Sequence, residues 1–377
     1  MLRYFLGLAV LFIIGCNDKD KSYTLKKLKD LKLNIETALS NVSNISYYSG
    51  NGSNYITYIN IPAHSINFRN INTDSIDYAI SLSNLDSIQN TEDGSACFVQ
   101  NPDSIFIMLN ERNTIYLIDR SGKIRSHWDV TQELENNNKD YVLQDIQPMK
   151  LSYKNGNIYI QSIRNDVVLV TPENKKIYFN TPAEVTINIT QAPCKITNKT
   201  GYWPGIYKTG EGYQDFWPAR CVNNKNELIY SFGINDSLFV YSNNKLTSVV
   251  EAKTQYKQNI NPYPSDSNAH LVFLKKYYTT ETRYKFILFN PYKDQYYRVF
   301  SKGEEIVNED GTKIYPWSLM VLDSDFKVIN ETTFNSNEYN FFSILPVPEG
   351  ILICRSKEQS DERNVLRYGL FSATDEK

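Results

Sequence analysis

Apolar residues fall along this chain in short blocks, some alternating with polar positions, each closed by Asn, Asp, Ser or Gly. Blocks of that length, rich in Ile, Val, Tyr and Phe and bounded by turn residues, predict β-strands. The clearest set is IFIML (105–109), TIYLID (114–119), the turn RSG, and KIRSHWDV (123–130). The same order of strand, strand, polar turn and Lys-led strand recurs in NIYIQSI (157–163), DVVLVTP (166–172), ENK and KIYFNTP (176–182). It returns in ELIYSFG (227–233), DSLFVYS (236–242), NN and KLTSVV (245–250), and in part in SLMVLD (318–323), SDF and KVINETTF (327–334). Strands joined by turns this short are antiparallel meanders.

A less regular first copy is NYITYIN (54–60), SINFRN (65–70) and SIDYAISL (75–82). The last copy, GILICRS (350–356) and NVLRYGLFS (364–372), lacks an outer strand. YTLKKLKDLKLNIET (23–37) could supply it, because Leu31, Leu33 and Ile35 alternate as a half-buried strand does. Leu25, Leu28, Leu31 and Ile35 also fit helical spacing, so both readings stand. Starts at Tyr55, Ile105, Ile158, Leu228, Leu271 and Ile351 give six units. One twisted sheet cannot bury both its faces, so the units must stack, and a closed ring removes exposed ends. The pattern therefore predicts an all-β fold: a six-bladed β-propeller of antiparallel four-stranded blades, occupying 23–377 as one domain, which the N-terminal segment could close if it is a strand. Two β-sandwich domains are the rival, but no Pro/Gly/Ser-rich linker divides the chain.

Composition agrees, with 41% hydrophobic and 22% charged residues, and 28 Tyr and 18 Phe beside abundant Ile, Asn and Ser. Forty basic residues against 42 acidic ones, with no long block of one sign, exclude nucleic acid as an expected partner.

The opening MLRYFLGLAVLFIIGC has Arg3, an apolar run over 4–14, and then Gly15-Cys16. That run is shorter than the roughly 17 to 25 residues of a membrane span but suits a secretory signal. Ile13-Ile14-Gly15-Cys16 resembles the lipobox of bacterial lipoproteins. The resemblance implies a signal peptide over 1–15, a diacylglycerol thioether on Cys16, and a lipid-anchored linker over 16–22. Several acyl chains on one residue hold a membrane stably where a single chain does not. The expected location is thus the outer membrane, on its periplasmic face or the cell surface. Acidic residues after such a cysteine resemble a surface-export signal, and Asn17-Asp18-Lys19-Asp20-Lys21 is a mixed-sign version.

PDSIFIMLNERNTIYLIDRSGKI, PARCVNNKNELIYSFGINDSLFVYS and WSLMVLDSDFKVINE, together with the lipobox, resemble an uncharacterised domain-of-unknown-function family of Bacteroidota lipoproteins expected to be six-bladed propellers. Those are blade motifs, and the resemblance implies fold without assigning a catalytic residue.

Chemistry is sparsely signalled. G-x-S-x-G, HExxH, GxxxxGK[ST] and the EF-hand loop are all missing from the sequence, and no cofactor or metal ligand set is identified. His64, His127 and His270 lie far apart. A propeller can still assemble an acidic or metal site at its channel from one residue per blade, so a hydrolase or lyase is the alternative function. Cys97, Cys194, Cys221 and Cys354 permit disulfides, Cys194 with Cys221 for example, but strand-like surroundings favour buried free thiols.

The most promising surface is a loop insertion over about 184–219, containing GYWPGIYKTGEGYQDFWPAR. Tyr202, Trp203, Tyr207, Phe216 and Trp217, with Trp317 joining from elsewhere, are candidates to bind a protein or glycan. The opposing expectation is that these rings pack down and cap the ring end. Finally, the Asp-Ser-apolar triplets resemble an O-glycosylation sequon of exported Bacteroidota proteins, which implies glycans on Ser75, Ser87, Ser104 and Ser237. Their plainer role is to end turns at strand starts. The expected function is a membrane-tethered binding or assembly module.

Overall fold

The structure, a computed structural model, describes residues 23–85, 95–109, 113–138, 141–144, 149–164, 166–167, 170–171, 173–209, 213, 217–256, 260–262, 277, 280–311, 313–356 and 362–375. Six antiparallel sheets form the blades of a β-propeller. Blade 1 is Val42–Gly50, Ser53–Asn60, Ser65–Asn70 and Ile76–Ser81; blade 2 is Ser95–Asn101, Ser104–Leu109, Thr114–Ile118 and Ile124–Asp129. In blade 3 the inner position is split between Tyr141–Gln144 and Ser152–Lys154, followed by Asn157–Arg164, Pro182–Asn188 and Lys195–Tyr202. Blade 4 is Ala219–Val222, Leu228–Ser231, Ser237–Ser242 and Lys245–Glu251. Blade 5 is Arg283–Asn290, Gln295–Ser301, Pro316–Leu322 and Val328–Asn335, with a small hairpin, Ile306–Val307 and Lys313–Ile314, inserted midway. Blade 6 is Tyr339–Val347, Gly350–Arg355, Val365–Asp375 and, outermost, Tyr23–Asn34.

The N-terminal segment is thus a strand that closes the ring. It pairs antiparallel with Val365–Asp375 from Tyr23 opposite Asp375 to Asn34 opposite Val365, slipping by a β-bulge at Leu28. Leu33 and Ile35 are buried and Leu31 is half-buried, as alternation requires, whereas Leu28, which a helical stripe would bury, is 51% exposed. Closure is tied to blade 1 by Asp74, which accepts from Asn34 Nδ2 at 2.6 Å and pairs with Arg69 at 2.9 Å.

The core is divided by blade interface, one buried cluster to each. Leu33, Ile56, Tyr58 and Tyr368 fill the space between blades 6 and 1, and Ile66, Phe68, Ile105 and Ile107 that between blades 1 and 2. Blades 5 and 6 meet around Trp317, Phe334, Tyr339 and Phe371. Each sheet therefore buries apolar side chains on both faces, which is why the strands read as near-continuous apolar blocks.

The Lys-led outer strands have a local cause. Asp119 accepts the backbone N–H groups of Ser121 at 2.8 Å and Lys123 at 3.1 Å, and Asp323 accepts those of Asp325 and Lys327 at 3.0 and 2.9 Å. The carboxylate satisfies two turn amides at once and fixes where the next strand begins. Gly122, at φ +76°, completes the first of these turns and passes against blade 1, where an added Cβ would lie 2.2 Å from the Ser81 carbonyl oxygen.

Blade 3 departs from the expected pattern. Residues 175–179 are not a strand but a helix, α2 (Lys175–Phe179), after α1 (Thr131–Asn138) in the connection from blade 2 to blade 3. Asn174 accepts the Thr171 N–H at 2.7 Å and so winds the chain into that turn. Tyr178 and Phe179 are both buried, a pair of neighbours that a helix can place on one side and a strand cannot. The third and fourth strands of the blade come later, at Pro182–Asn188 and Lys195–Tyr202, so the expected insertion over 184–219 shrinks to 203–218. Leu271, taken as the start of the fifth unit, lies outside the described residues, and that blade begins at Arg283.

Candidate interaction surface

Strand direction alternates within a blade, so turns between strands 1–2 and 3–4 lie on one face of the ring. The 2–3 connections and the blade-to-blade connections lie on the other, the connection face. Three such connections over blades 3 and 4 meet there: the one carrying α2, the one carrying α3 (Gly205–Lys208), and residues 232–236 of blade 4. Phe179, Trp203 and Tyr207 form a triangle with ring centroids 4.9–5.0 Å apart, and Phe232 lies 5.2 Å from Trp203. The Tyr207 hydroxyl accepts the Ile234 N–H at 3.1 Å.

Trp203 is only 4% exposed and Tyr207 fully buried, so these two are the floor of the surface and not its contact layer. The exposed residues above them are Ile177 on α2 and Ile206 on α3, 53% and 44% exposed, with Tyr202 beside them at 44%. Helices α2 and α3 pack side by side, and Lys176 and Lys208 flank the isoleucines along the chain. Trp217 is half-buried, and Phe216 lies outside the described residues. Trp317 belongs elsewhere: it is fully buried in blade 5, stacked 4.7 Å from Phe334, and its indole N–H donates to the Tyr339 carbonyl at 3.0 Å. Neither isoleucine is marked in the sequence by the aromatic pattern, and Ile177 sits in KIYF, which is as apolar as a strand.

Under the surface lies a closed polar network between blades 3 and 4. Arg220 Nε donates to Glu184 Oε2 at 2.7 Å, Tyr230 Oη donates to Glu184 Oε1 at 2.7 Å, and Thr200 Oγ1 lies 2.7 Å from that phenol oxygen. The remaining guanidinium nitrogens donate to Ser152 Oγ and the Lys150 carbonyl at 2.7 and 2.9 Å. Burial alone would lower the Arg220 pKa, but the Glu184 carboxylate and Tyr230 hold it above the ordinary arginine value. Burial, reinforced by Glu184, pushes the Tyr230 phenol well up. Gly201, at φ +70°, leaves room for that ring, since a Cβ there would sit 2.7 Å from it. With its hydrogen bonds used and its charges sealed, the network ties blades together.

The six inner strands carry no Asp, Glu or His; their charged residues are Lys154, Arg220, Arg283 and Lys285. Lys150 Nζ, on the approach to blade 3, donates to the Ile45 carbonyl of blade 1 at 3.1 Å, and Tyr47 of blade 1 meets Tyr292 of blade 5 edge-on at 6.1 Å. Both contacts link blades that are not neighbours. Among the described residues no group of three or more His, Cys, Asp or Glu could hold a metal ion. Ser121 and the turn amides hold the Asp119 carboxyl down at about 2.

Of the serines singled out, Ser75 is exposed and donates to Asp77 at 2.9 Å, Ser104 and Ser237 are half-buried, and Ser87 lies outside the described residues. The three described ones open an outer, a second and a third strand respectively, so the triplet marks strand entry and not a fixed place in the blade. Cys97, Cys194, Cys221 and Cys354 are free thiols, and Cys16 lies outside the described residues.

Residues 22–333 match the family described as Domain of unknown function (DUF4221). The chain belongs to the DUF4221 family. A crystal structure of a DUF4221 member from Bacteroides vulgatus superposes with TM-score 0.76 at 18% identity, covering 95% of this chain and all of that one. A Bacteroides fragilis protein named as exported follows at TM-score 0.51 and 10% identity, covering 94% and 96%. A streptogramin B lyase is similar at TM-score 0.40 and 11% identity over 94% and 98%, too distant to carry chemistry across. No curated protein matches. DUF4221 chains thus share the ring, and the family name assigns it no activity.

Proposed function

We propose that this DUF4221 chain is a lipid-anchored binding module that recruits a protein partner to the outer membrane through the connection face over blades 3 and 4. The observation that carries the reading is the pair Ile177 and Ile206, exposed on a floor of interlocked aromatic rings. A rigid floor lets two aliphatic side chains offer apolar area with little ordering cost, and the lysines beside them give a polar rim. A glycan would call for several open flat rings, and of the described candidates Tyr202 is exposed whereas Trp203 and Tyr207 are turned inward. The acid-free inner strands weigh against the hydrolase or lyase alternative.

The test is in-cell crosslinking with mass spectrometry on wild type and on Ile177→Asp/Ile206→Asp. Loss of a specific crosslinked protein, with the fold intact, is expected; an unchanged set of crosslinks would defeat the surface. The anchor is tested separately. Cys16→Ser should abolish labelling by an alkyne fatty acid and release the protein from membranes.

A further inference from the structure

Leu28 stands out because a strand that closes a ring has every reason to hide its leucines. It is the bulge residue of Tyr23–Asn34, between Lys27 opposite Phe371 and Lys29 opposite Leu370, and it projects 51% exposed. Residues 26–30 form an exposed run, Lys26-Lys27-Leu28-Lys29-Asp30, and Lys32 is exposed just beyond. Asp30 is occupied by Lys27 at 2.8 Å and by Arg355 at 3.3 Å, and Lys32 pairs with Glu362 at 3.0 Å. Among the described residues no carboxylate pairs with Lys26 or Lys29. The outer edge of blade 6 is therefore a strip of positive charge with one leucine at its crest.

Lysines and a bulge on an outer strand also protect an edge from pairing with another chain. That purpose needs charge of either sign and gains nothing from an apolar residue at the tip. Position supplies the missing reason. Only residues 17–22 separate Cys16 from Tyr23, and a tether of that length reaches about 20–25 Å when extended.

We propose that the outer strand of blade 6 docks on the membrane leaflet that holds the anchor, with Lys26, Lys27 and Lys29 on anionic phospholipid headgroups and Leu28 entering the interface. The placement rests on the lipid-anchor reading; the affinity for anionic lipid does not. Juxtamembrane lysines are attracted to anionic headgroups within a Debye length, and an apolar crest adds buried area that neutral lipid alone would not select. Docking in this way would fix the propeller's orientation, a tethered ring being otherwise free to swivel.

Residues 23–375 contain the whole closed ring, so a chain of residues 17–377 retains the fold without lipid. This chain is sedimented with phosphatidylcholine vesicles, with and without phosphatidylglycerol. Partition at least about tenfold higher onto the anionic vesicles is expected, weakening as salt is raised. Lys26→Glu/Lys27→Glu/Lys29→Glu keeps a charged edge and should erase the preference; Leu28→Ser should lower binding severalfold, each with an unchanged melting profile. Equal partition onto both vesicle types, or a preference the triple variant leaves intact, would overturn the proposal. Preference retained while Cys16 takes no fatty acid would instead sink the anchor and leave the lipid-binding strip standing.

Discussion

Glu184 and Arg220 form an ion pair of 2.7 Å between blades 3 and 4 in which the Glu184 side chain is fully buried and that of Arg220 is only 4% exposed. Breaking such a pair leaves a buried charge without its counter-charge, at a cost of about 3–5 kcal/mol. Glu184→Gln keeps the shape and removes the charge. Its unfolding free energy from urea titration should fall by that amount, with a lower midpoint, and that of Arg220→Gln should fall comparably. A midpoint within experimental error of wild type would mean that water enters this interface.

Thr186 presents the opposite case. Its hydroxyl is buried, 1% exposed, and has no hydrogen-bond partner among the described residues. Replacing a stranded polar group by a methyl of the same shape removes a desolvation penalty. Thr186→Val should raise stability by about 1 kcal/mol, read as a higher melting temperature.

Trp203→Ala separates floor from surface. It opens a cavity under α2 and α3 and should cost about 3–5 kcal/mol, whereas Ile177→Ser should change stability by less than about 0.5 kcal/mol. Thermal melts of the two variants check this. A stable Trp203→Ala chain would show the aromatic cluster to be loosely seated.

Alkaline pH should unfold the protein. Burial holds the phenols of Tyr230, Tyr284 and Tyr368 well up and that of Tyr297 at about 12, while an unfolded tyrosine titrates near 10. Above pH 10 the unfolded chain loses phenolic protons that the folded one keeps, so stability is whole below pH 10 and drains away between 10 and 12. Tyr297→Phe should reduce the loss at pH 11 by about 1 kcal/mol, measured as the difference in unfolding free energy between pH 8 and pH 11.

The strands legible in the sequence are the second, third and outer ones of blades 1, 2 and 4, the third and outer ones of blade 5 and the second and third of blade 6, and the reason is chemical. An Asp such as Asp119 or Asp323 writes its turn into the sequence by needing two amides downstream, and the Lys that follows marks the next strand. Inner strands carry no such mark. Val42–Gly50, VSNISYYSG, is half-buried almost throughout, and Ala219–Val222 spans four residues, so neither shows alternation. Blade 3 misled because KIYF is as apolar as a strand, and only the Thr171–Asn174 bond upstream reveals a helical turn. Ring burial at Trp203 and Tyr207 could not be told from ring exposure, since both outcomes use the same residues between the same glycines and prolines. Ile177 and Ile206 become visible as a pair only once two connections 29 residues apart are laid side by side.

The last sheet is assembled from the two most distant parts of the chain, Tyr23–Asn34 and Val365–Asp375. During synthesis the first of these emerges before the rest of the ring and must wait, unpaired, until the strand it joins has followed. Its Lys-rich outer edge then serves before folding as well as after, keeping a waiting strand from joining a stranger. The ring is locked by its oldest segment meeting its youngest, so a chain stopped short anywhere before residue 365 leaves the circle open and the early strand unclaimed.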